Sequence, residues 1–315
     1  MAPSVTNRQI RFSVQAGMMS SQNEWRDLAM KVEDLGFYAL YVADHLGLTP
    51  SPFSALTAAA DATSTLRLGT YVVHSAIRDP LSLASDAATL DVVSGGRLIL
   101  GLGAGHTSAE WTMTGSPYPS PAQRVGRFAE MVHVVTSLLR GDVVTYHGRY
   151  LHLDDAFLLA PRPVQSKIPL LIGGNGTQLL RDAGRAADIV SLTGLGRTLE
   201  DGHRHTADWS PAAIDVRVGI VREVAPQPEH VVLDALVQHV EITDHRVEAA
   251  ERHALTAPGL TTSDVLDAPY ALIGTLDQIV EELTNHRERW GFTSYVVRAD
   301  ALDLAARLVE RTRSQ

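Results

Sequence analysis

The strongest constraint on the fold of this chain is the repeated alternation of short β-rich runs with amphipathic helical patterns. Eight strand candidates occur along the 315 residues, and helical segments separate nearly all of them. The strand candidates cover residues 10–16, 39–43, 68–73, 98–102, 169–172, 188–192, 214–224 and 294–298. The helix candidates cover residues 24–35, 53–63, 81–92, 122–139, 177–187, 229–242, 245–253, 276–290 and 302–311.

This order of elements predicts parallel strands, because each helical crossover returns the chain to the same edge of the sheet. Eight βα units in this length predict a closed (β/α)8 barrel, or TIM barrel, of the α/β class. We expect a single domain over residues 1–315, with insertions near 106–121, 141–168 and 196–270. The alternative is an open doubly wound sheet in two domains. That architecture favours a linker rich in Ser, Gly or charged residues, and the sequence contains none.

The composition narrows the class of protein. Lys and Arg total 27 and Asp and Glu total 36, so the net charge of −9 disfavours binding to the phosphates of nucleic acid. The chain has no cysteine, which excludes disulfides, thiolate metal sites and a cysteine nucleophile. No apolar run approaches the ~18 residues that a membrane span requires. We therefore expect a soluble, cytoplasmic enzyme with a small-molecule substrate, no nucleic-acid partner and no membrane association.

Two segments that follow strand candidates carry residues suited to chemistry, since the βα loops of such a barrel converge at the carboxyl ends of its strands. Asp44 and His45 follow the second strand. The imidazole could protonate or hydrogen-bond a bound ring, or it could simply contact a backbone carbonyl. Gly101, Gly103 and Gly105 lie in and after the fourth strand and match the dinucleotide-binding fingerprint only weakly. They indicate either a flat ligand against the backbone or an ordinary turn.

A glycine-rich loop gives a sharper signal. Residues 173–177 follow the fifth strand and open a helix. The N–H groups and the dipole at a helix N-terminus attract anions, and a phosphate-binding loop late in a barrel is a recurrent arrangement. We therefore predict that this loop binds a phosphate, the alternative being a plain strand–helix turn. Its residues are Gly173, Gly174, Asn175, Gly176 and Thr177.

Other candidate residues favour structural roles. Arg124, Arg127 and Glu130 share one helix face, where solvated ion pairs account for most of the pattern. The sequence offers no convincing set of metal ligands, so we predict no metal site, and it has no G-x-S-x-G elbow for a serine hydrolase. Because no nucleophile or pair of carboxylates follows the strands, a bound organic cofactor is the better source of reactivity.

Several motifs, weak singly and specific in combination, resemble the bacterial luciferase-like family of flavin and deazaflavin proteins. The longest is the run from Ala87 to Gly105, which contains Val93-Ser94-Gly95-Gly96-Arg97 and the three alternating glycines. The likeness covers roughly residues 10–195 and continues to the last strand. The other matching motifs are Asp34-Leu35-Gly36-Phe37, Ala43-Asp44-His45, Leu68-Gly69-Thr70, Arg78-x-Pro80, Arg124-x-x-Arg127, Gly141 with Tyr146-His147-Gly148-x-Tyr150, Pro161 to Gln165, Pro169 to Gly174, Ala187 to Val190 and Gly274-Thr275.

The resemblance implies a luciferase-like TIM barrel, acting as a homodimer, that holds coenzyme F420 or, alternatively, FMN at the carboxyl ends of its strands. The sequence is most similar to the F420-dependent oxidoreductases, whose ring-proximal histidine corresponds to His45. The non-proline cis peptide of the family falls at Tyr71–Val72, behind the ring. By the same resemblance, the residues that contact the coenzyme are Asp44, Tyr71, Val72, Gly103, Ala104, Gly105, His106 and the five residues of the phosphate loop.

Two positions depart from the sugar-phosphate dehydrogenases of this family. Those dehydrogenases carry an acidic residue where this chain has His106, and a tryptophan where this chain has Thr49. The departures disfavour oxidation of a sugar phosphate. The segments 106–121 and 198–211 are expected to wall the substrate pocket, because variable loops at this face set specificity.

Three functions remain open at this point. The first is hydride transfer between C5 of the deazaflavin and a small organic substrate, with reduction of a C=C, C=N or C=O bond and with His45 as the catalytic residue. The second is an FMN-dependent luciferase-like monooxygenase. The third is a non-catalytic barrel that binds a flavin.

Overall fold

The structure of the protein is a computed structural model that describes residues 8–18, 20–198 and 205–313. The strands in these ranges are β1 (Arg11–Ala16), β2 (Ala39–Val42), β3 (Arg67–Thr70), β4 (Val73–His74), β5 (Leu98–Gly103), β6 (Val144–His147), β7 (His152–Ala156), β8 (Leu170–Gly173), β9 (Ile189–Leu192), β10 (Leu195–Thr198), β11 (His205–Ala207), β12 (Val232–Leu236), β13 (His239–Ile242), β14 (Ala271–Gly274) and β15 (Phe292–Arg298). The helices are α1 (Gln22–Asp34), α2 (Pro52–Ala62), α3 (Pro80–Val93), α4 (Ser108–Met113), α5 (Pro121–Arg140), α6 (Thr177–Ala186), α7 (Pro211–Val224), α8 (Arg246–Ala254), α9 (Thr262–Asp267), α10 (Leu276–Trp290) and α11 (Leu302–Arg313).

The chain folds into two compact units, and each contributes parallel strands. The first unit takes the chain up to Gln15, Asp34–Tyr38 and everything from Gly173 onward. Its sheet runs β9–β12–β15–β1, with every pair parallel. It also contains the parallel pair β13–β14 and the antiparallel pair β10–β11. Whether the chain acts as a single domain stays a prediction.

The second unit takes Ala16–Glu33 and Ala39–Ile172. Its parallel sheet runs β2–β3–β5–β8, and β4 pairs with the carboxyl end of β5. The two units thus contribute four main parallel strands each, as the eight βα units predict. Strands β6 and β7 form an antiparallel hairpin within the segment 141–168.

Strand β5 shows why its sequence alternates glycine with leucine. All six residues are buried, as expected for a parallel strand covered on both faces. A Cβ at Gly101 would lie 2.0 Å from the carbonyl oxygen of Thr70, so only glycine fits beside β3. The Thr70 hydroxyl donates to the Gly101 carbonyl at 2.8 Å and accepts from the Gly101 N–H at 2.9 Å. This close contact fixes the register where the two strands approach their carboxyl ends.

Helix α5 shows how the local sequence sets helix boundaries. Ser120 and Gln123 form a capping box, Pro121 occupies the first turn, and Gly141 ends the helix in the left-handed region at φ +90°. The predicted helices that correspond to α1, α2, α3, α5, α6, α8, α10 and α11 are confirmed within two residues at their ends. These boundaries could be read from the sequence because caps and hydrophobic period agree.

Residues 214–242 contradict the prediction, with helix and strand exchanged. The expected strand 214–224 is part of α7, where Ile214, Val218 and Val221 face inward at helical spacing. Ser210 caps this helix by accepting from the N–H of Ala213. The expected helix 229–242 instead contains β12 and β13, and β12 takes the place of the seventh barrel strand. The β-branched residues of α7 favoured a strand, but their 3–4 residue spacing and the serine cap determine a helix.

Other elements were not predicted, among them helices α4 and α9 and strands β10, β11 and β14. Helix α4 lies inside the segment 106–121, which its glycine and proline content predicted to be a loop. Across the ranges that the structure covers, no helix combines the length and the apolar character needed to cross a bilayer.

Candidate active site

Three side chains of the second unit form a histidine cluster, which we define as His45, His74 and Glu110. His45 follows β2, His74 ends β4, and Glu110 lies on α4. The Nδ1 atom of His45 lies 2.6 Å from Oε1 of Glu110, and Nε2 of His74 lies 3.5 Å from Oε2 of the same carboxylate. The Glu110 side chain is fully buried, whereas 37% of the His45 side chain is exposed. A buried carboxylate therefore contacts two imidazoles, one of which reaches the surface.

His74 is enclosed by neighbours that leave its ring nitrogens dry. Its side chain is 4% exposed, and the indole of Trp111 packs edge-on against it at 5.6 Å between ring centroids. A Cβ at Gly105 would lie 2.1 Å from the imidazole, and Gly105 has φ +74°, so glycine is required there on both counts. Burial lowers the pKa of His74, outweighing the opposite effects of Glu110 and Asp44. His74 is therefore neutral at physiological pH.

The predicted site residue Asp44 is occupied by contacts within the protein. Its two carboxylate oxygens accept a pair of hydrogen bonds from Arg78, at 2.7 Å from Nε and 2.8 Å from Nη2. One of them also accepts from the backbone N–H of His74 at 3.1 Å. The hydrogen bond to Asp44 is the main reason that the pKa of Arg78 is raised. Asp44 thus ties the end of β2 to β4, which places His45 and His74 near each other.

The peptide bond between Tyr71 and Val72 is cis, which confirms the position expected from the family resemblance. The Tyr71 ring is buried against Tyr41, with 5.1 Å between centroids. Gly103 ends β5 and accepts a hydrogen bond from the Ser75 hydroxyl at 2.7 Å. Ala104 is half-buried just beyond it. These predicted residues all lie at carboxyl ends of parallel strands in the second unit.

The segment 106–121 lies beside the histidine cluster. The exposed ring of His106 meets His45 edge-on, with 5.9 Å between centroids. The hydroxyl of Tyr118 donates to the backbone carbonyl of His106 at 2.8 Å, and the Arg124 guanidinium stacks over the Tyr118 ring at 4.5 Å. The structure thus brings His45 and His106 together, with the Tyr118 ring and the Arg124 guanidinium nearby.

The arginine–glutamate face of α5 has the structural role that the sequence favoured. Arg127 donates to the backbone carbonyls of Ala76, Arg78 and Tyr150. Glu130 accepts from the backbone N–H groups of three consecutive residues in the β6–β7 turn, 149–151. The polar groups of Arg127 and Glu130 are thus engaged with the protein backbone.

The glycine loop, residues 173–177, belongs to the first unit and is built mainly from backbone. Gly174 donates to the Ser191 carbonyl at 3.0 Å. The Asn175 amide donates to the Thr193 hydroxyl at 2.9 Å and to the Leu195 carbonyl at 2.6 Å, so its side chain braces the loop. Among the described residues, no side chain caps the N-terminus of α6, and no atom comes within 4 Å of a Cβ built on Gly176. The arrangement leaves first-turn N–H groups and open space where an anion can bind.

Sequence reasoning missed Glu110, Trp111 and His74. Glu110 and Trp111 lie in the segment predicted to be a loop, and His74 lies one residue past the third strand candidate. A carboxylate and an indole so soon after β5 were a usable signal, because large polar and aromatic residues near strand ends favour a site. The expected pocket segment 198–211 falls partly outside the described residues, which omit 199–204.

Comparison with known proteins places this geometry in context. The sequence matches the luciferase-like monooxygenase family over residues 8–294. An F420-dependent glucose-6-phosphate dehydrogenase from Microbacterium testaceum is 33% identical over 202 residues, which are 61% of this chain and 58% of that protein. The chain thus spans little more than half the length of this relative. A 4-hydroxyprotoasukamycin monooxygenase from Streptomyces nodosus subsp. asukaensis is 28% identical over 296 residues, 85% of this chain and 78% of that protein.

A solved structure extends the likeness to nearly the whole chain. The coenzyme F420 dependent tetrahydromethanopterin reductase from Methanopyrus kandleri superposes with a TM-score of 0.75 at 24% identity, covering 96% of this chain and 99% of that one. The likeness confirms the predicted fold class, the (β/α)8 barrel. With the family match over residues 8–294, it shows that the chain belongs to the luciferase-like monooxygenase family.

Proposed function

We propose that the protein is an F420-dependent oxidoreductase that transfers hydride between C5 of the deazaflavin and a small organic substrate, reducing a C=C, C=N or C=O bond. The observation that carries the proposal is the position of His45, half-exposed after β2 and backed by the buried carboxylate of Glu110. The F420-dependent relatives give the cofactor its chemical class. As predicted from the sequence, we expect a cytoplasmic homodimer.

Residues in each unit, taken by itself, suit a chemical group that such a coenzyme carries. F420, when bound, supplies a two-electron hydride donor or acceptor at C5. In the second unit, we expect a flat ring to lie at the ends of β2, β4 and β5, with His45 and His106 beside it. In the first unit, the glycine loop offers uncapped N–H groups for a phosphate, and Asn175 stiffens that loop.

His45 donates or accepts the proton that accompanies hydride transfer. An ionised carboxylate can only accept hydrogen bonds, so the contact at 2.6 Å places a hydrogen on Nδ1 of His45. The Nε2 atom can then hold a proton for the substrate or take one from it. Groups that bear a proton near a developing negative charge stabilise it most when little water is present.

The substrate is proposed to be other than a sugar phosphate, although a similar relative is named as a glucose-6-phosphate dehydrogenase. At position 106 the chain has an exposed histidine where an acidic residue is expected for that activity. At position 49 it has a threonine, whose hydroxyl accepts from the His45 N–H at 2.9 Å and donates to the Ala43 carbonyl at 3.0 Å. Thr49 thus shapes the loop rather than presenting an indole to a substrate.

A second candidate function is an FMN-dependent monooxygenase. The observation in its favour is the Streptomyces relative named as a monooxygenase, which matches 85% of this chain. Uptake of dioxygen in the presence of reduced FMN would support this alternative.

A titration of the purified protein with F420 and, in parallel, with FMN tests the proposal. Absorbance and fluorescence should report saturable, stoichiometric binding of F420 and much weaker binding of FMN. Stoichiometric FMN binding without F420 binding would replace the proposal with the monooxygenase. A protein that binds F420 but transfers no hydride to any carbonyl, imine or alkene substrate would support the third possibility, a non-catalytic barrel.

A further inference from the structure

We propose that Glu110 is the positioning residue of the active site: it fixes His45 with a hydrogen on Nδ1 and with Nε2 available to exchange a proton, while the buried ring of His74 lies beside the second carboxylate oxygen. The role in turnover rests on the proposed function. The arrangement of the proton within the histidine cluster does not, because it follows from contacts within the second unit.

The geometry separates two imidazoles that share one carboxylate. Oε1 of Glu110 lies 2.6 Å from Nδ1 of His45, a short charge-assisted distance, and Oε2 lies 3.5 Å from Nε2 of His74. Within the described residues, neither nitrogen of His74 has a hydrogen-bond partner, and the same holds for Oε2 of Glu110. The contact with His74 is too long for a strong hydrogen bond, so the short contact with His45 dominates.

The charged groups around the cluster determine which carboxylate is available to His45. Four titratable or charged groups surround the two imidazoles: Glu110 on α4, Asp44 after β2, Arg78 paired with Asp44, and His106 after β5. Arg78 already neutralises Asp44 through two hydrogen bonds. Glu110 is thus the carboxylate available to an imidazolium. Burial lowers the pKa of His74, so that ring stays neutral, and the short contact of Glu110 is made with the half-exposed His45.

Packing fixes the ring of His74 beside the Glu110 carboxylate. The ring lies over Gly105, where any Cβ would collide with it, and against the indole of Trp111. Trp111 follows Glu110 directly on α4, so the same short helix supplies both the carboxylate and the ring that holds its second neighbour. Glu110 consequently has little freedom to turn away from His45.

In the reaction, the proton is exchanged at one atom, Nε2 of His45. As hydride reaches the substrate carbon, Nε2 of His45 donates its proton to the adjacent oxygen, nitrogen or carbon, and the imidazole afterwards regains a proton from solvent. In the reverse direction Nε2 accepts that proton. In both directions the positive charge of the imidazolium lies next to Glu110, which stabilises it.

Nuclear magnetic resonance of the coenzyme-free protein tests the positioning directly. In the unaltered protein, ¹⁵N shifts of His45, assigned by comparison with His45→Gln, should show a hydrogen on Nδ1 in the neutral form. In Glu110→Gln the preference for a hydrogen on Nδ1 should weaken, because an amide, unlike a carboxylate, can donate as well as accept a hydrogen bond. Glu130→Gln is the matched control, since Glu130 serves only backbone N–H groups 149–151 and should leave His45 unchanged.

The kinetic arm uses the holoenzyme. Glu110→Gln should lower kcat about tenfold to a hundredfold and shift the acidic limb of the pH profile, with the coenzyme Kd within about twofold. A neutral His45 with its hydrogen on Nε2, or a pH profile of kcat unchanged in Glu110→Gln, would overturn the positioning role. Absence of F420 binding would overturn the proposed function while leaving the magnetic resonance result decisive.

Discussion

The histidine cluster is built from side chains, whereas the glycine loop is built mainly from backbone. The cluster is assembled from side chains on three separate elements, β4, α4 and the end of β2, and its central carboxylate is fully buried. The loop is one continuous turn of backbone, braced by a single amide side chain, and it is open at Gly176. A group that exchanges a proton needs a side chain with a controlled pKa, whereas a group that holds an anion needs only N–H donors and room.

This difference predicts different sensitivities in the two regions. Altering a side chain should disable the cluster, and adding even a methyl group should weaken the loop. The four predictions that follow test this contrast, beginning with the largest expected effect.

Replacement of the exposed imidazole should have the largest effect. We expect His45→Gln to lower kcat by about 10²–10⁴-fold, because it removes the proton-exchanging atom, while F420 titration still shows binding. Steady-state kinetics with the coenzyme-loaded enzyme measures the loss. His133→Gln, which alters an exposed histidine on α5, is the matched control. Full activity in His45→Gln would remove the cluster from the chemistry.

Asp44→Asn should destabilise the fold by about 3 kcal/mol, because it leaves the Arg78 guanidinium without its buried carboxylate. Chemical denaturation followed by circular dichroism measures the free energy of unfolding. Asp142→Asn is the control, since its pair with Arg140 is half-exposed and should contribute at most about 1 kcal/mol. Equal effects of the two substitutions would contradict the structural role given to Asp44.

A buried imidazole with no carboxylate beside it should produce acid sensitivity. Burial lowers the pKa of His286 to about 4, from 6.5 when exposed, and its Nε2 lies 3.0 Å from the Asp267 carbonyl. The unfolded chain therefore binds the proton more readily, and stability falls as pH drops from about 6.5 towards about 4. We expect His286 to account for about 2 kcal/mol of the loss between pH 7 and pH 5. Denaturation at both pH values should show a shallower decline in His286→Gln than in His133→Gln.

A methyl group in the glycine loop should give the smallest effect. Gly176 has ordinary backbone angles, φ −71° and ψ 138°, and space around its α-carbon, so Gly176→Ala should leave the melting temperature unchanged. We expect the Kd for F420 to rise about tenfold if a phosphate approaches this backbone. Isothermal titration compares this variant with Gly219→Ala, a substitution on α7 that meets equally open space. An unchanged Kd would indicate that the loop is a plain strand–helix turn.

The sequence predicted much of the fold because local signals agree over most of the chain. The Ser120 cap, the terminal Gly141 and the helical spacing of α5 all indicate the same element. The exchange of helix and strand over residues 214–242 arose where β-branched residues such as Val218 and Val221 follow a helical period. Their intrinsic preference opposes the packing, and packing determines the result.

The candidate site divides in the same way. His45 and the glycine loop could be predicted because each directly follows a recognisable strand. Glu110 could not, because its importance depends on how α4 brings it to two imidazoles that are 65 and 36 residues away along the chain. Non-local contacts of this kind leave no period or spacing in the sequence.

The glycines of β5 and its following turn carry a wider lesson about sequence fingerprints. Gly101 is small because a carbonyl of the adjacent strand occupies the space, and Gly105 is small because an imidazole does. Two of the three glycines that suggest a nucleotide-binding pattern are thus explained by the protein's own atoms. An alanine at either position would require the neighbouring carbonyl or imidazole to move away. These two glycines are therefore explained by packing inside the protein, without reference to a ligand.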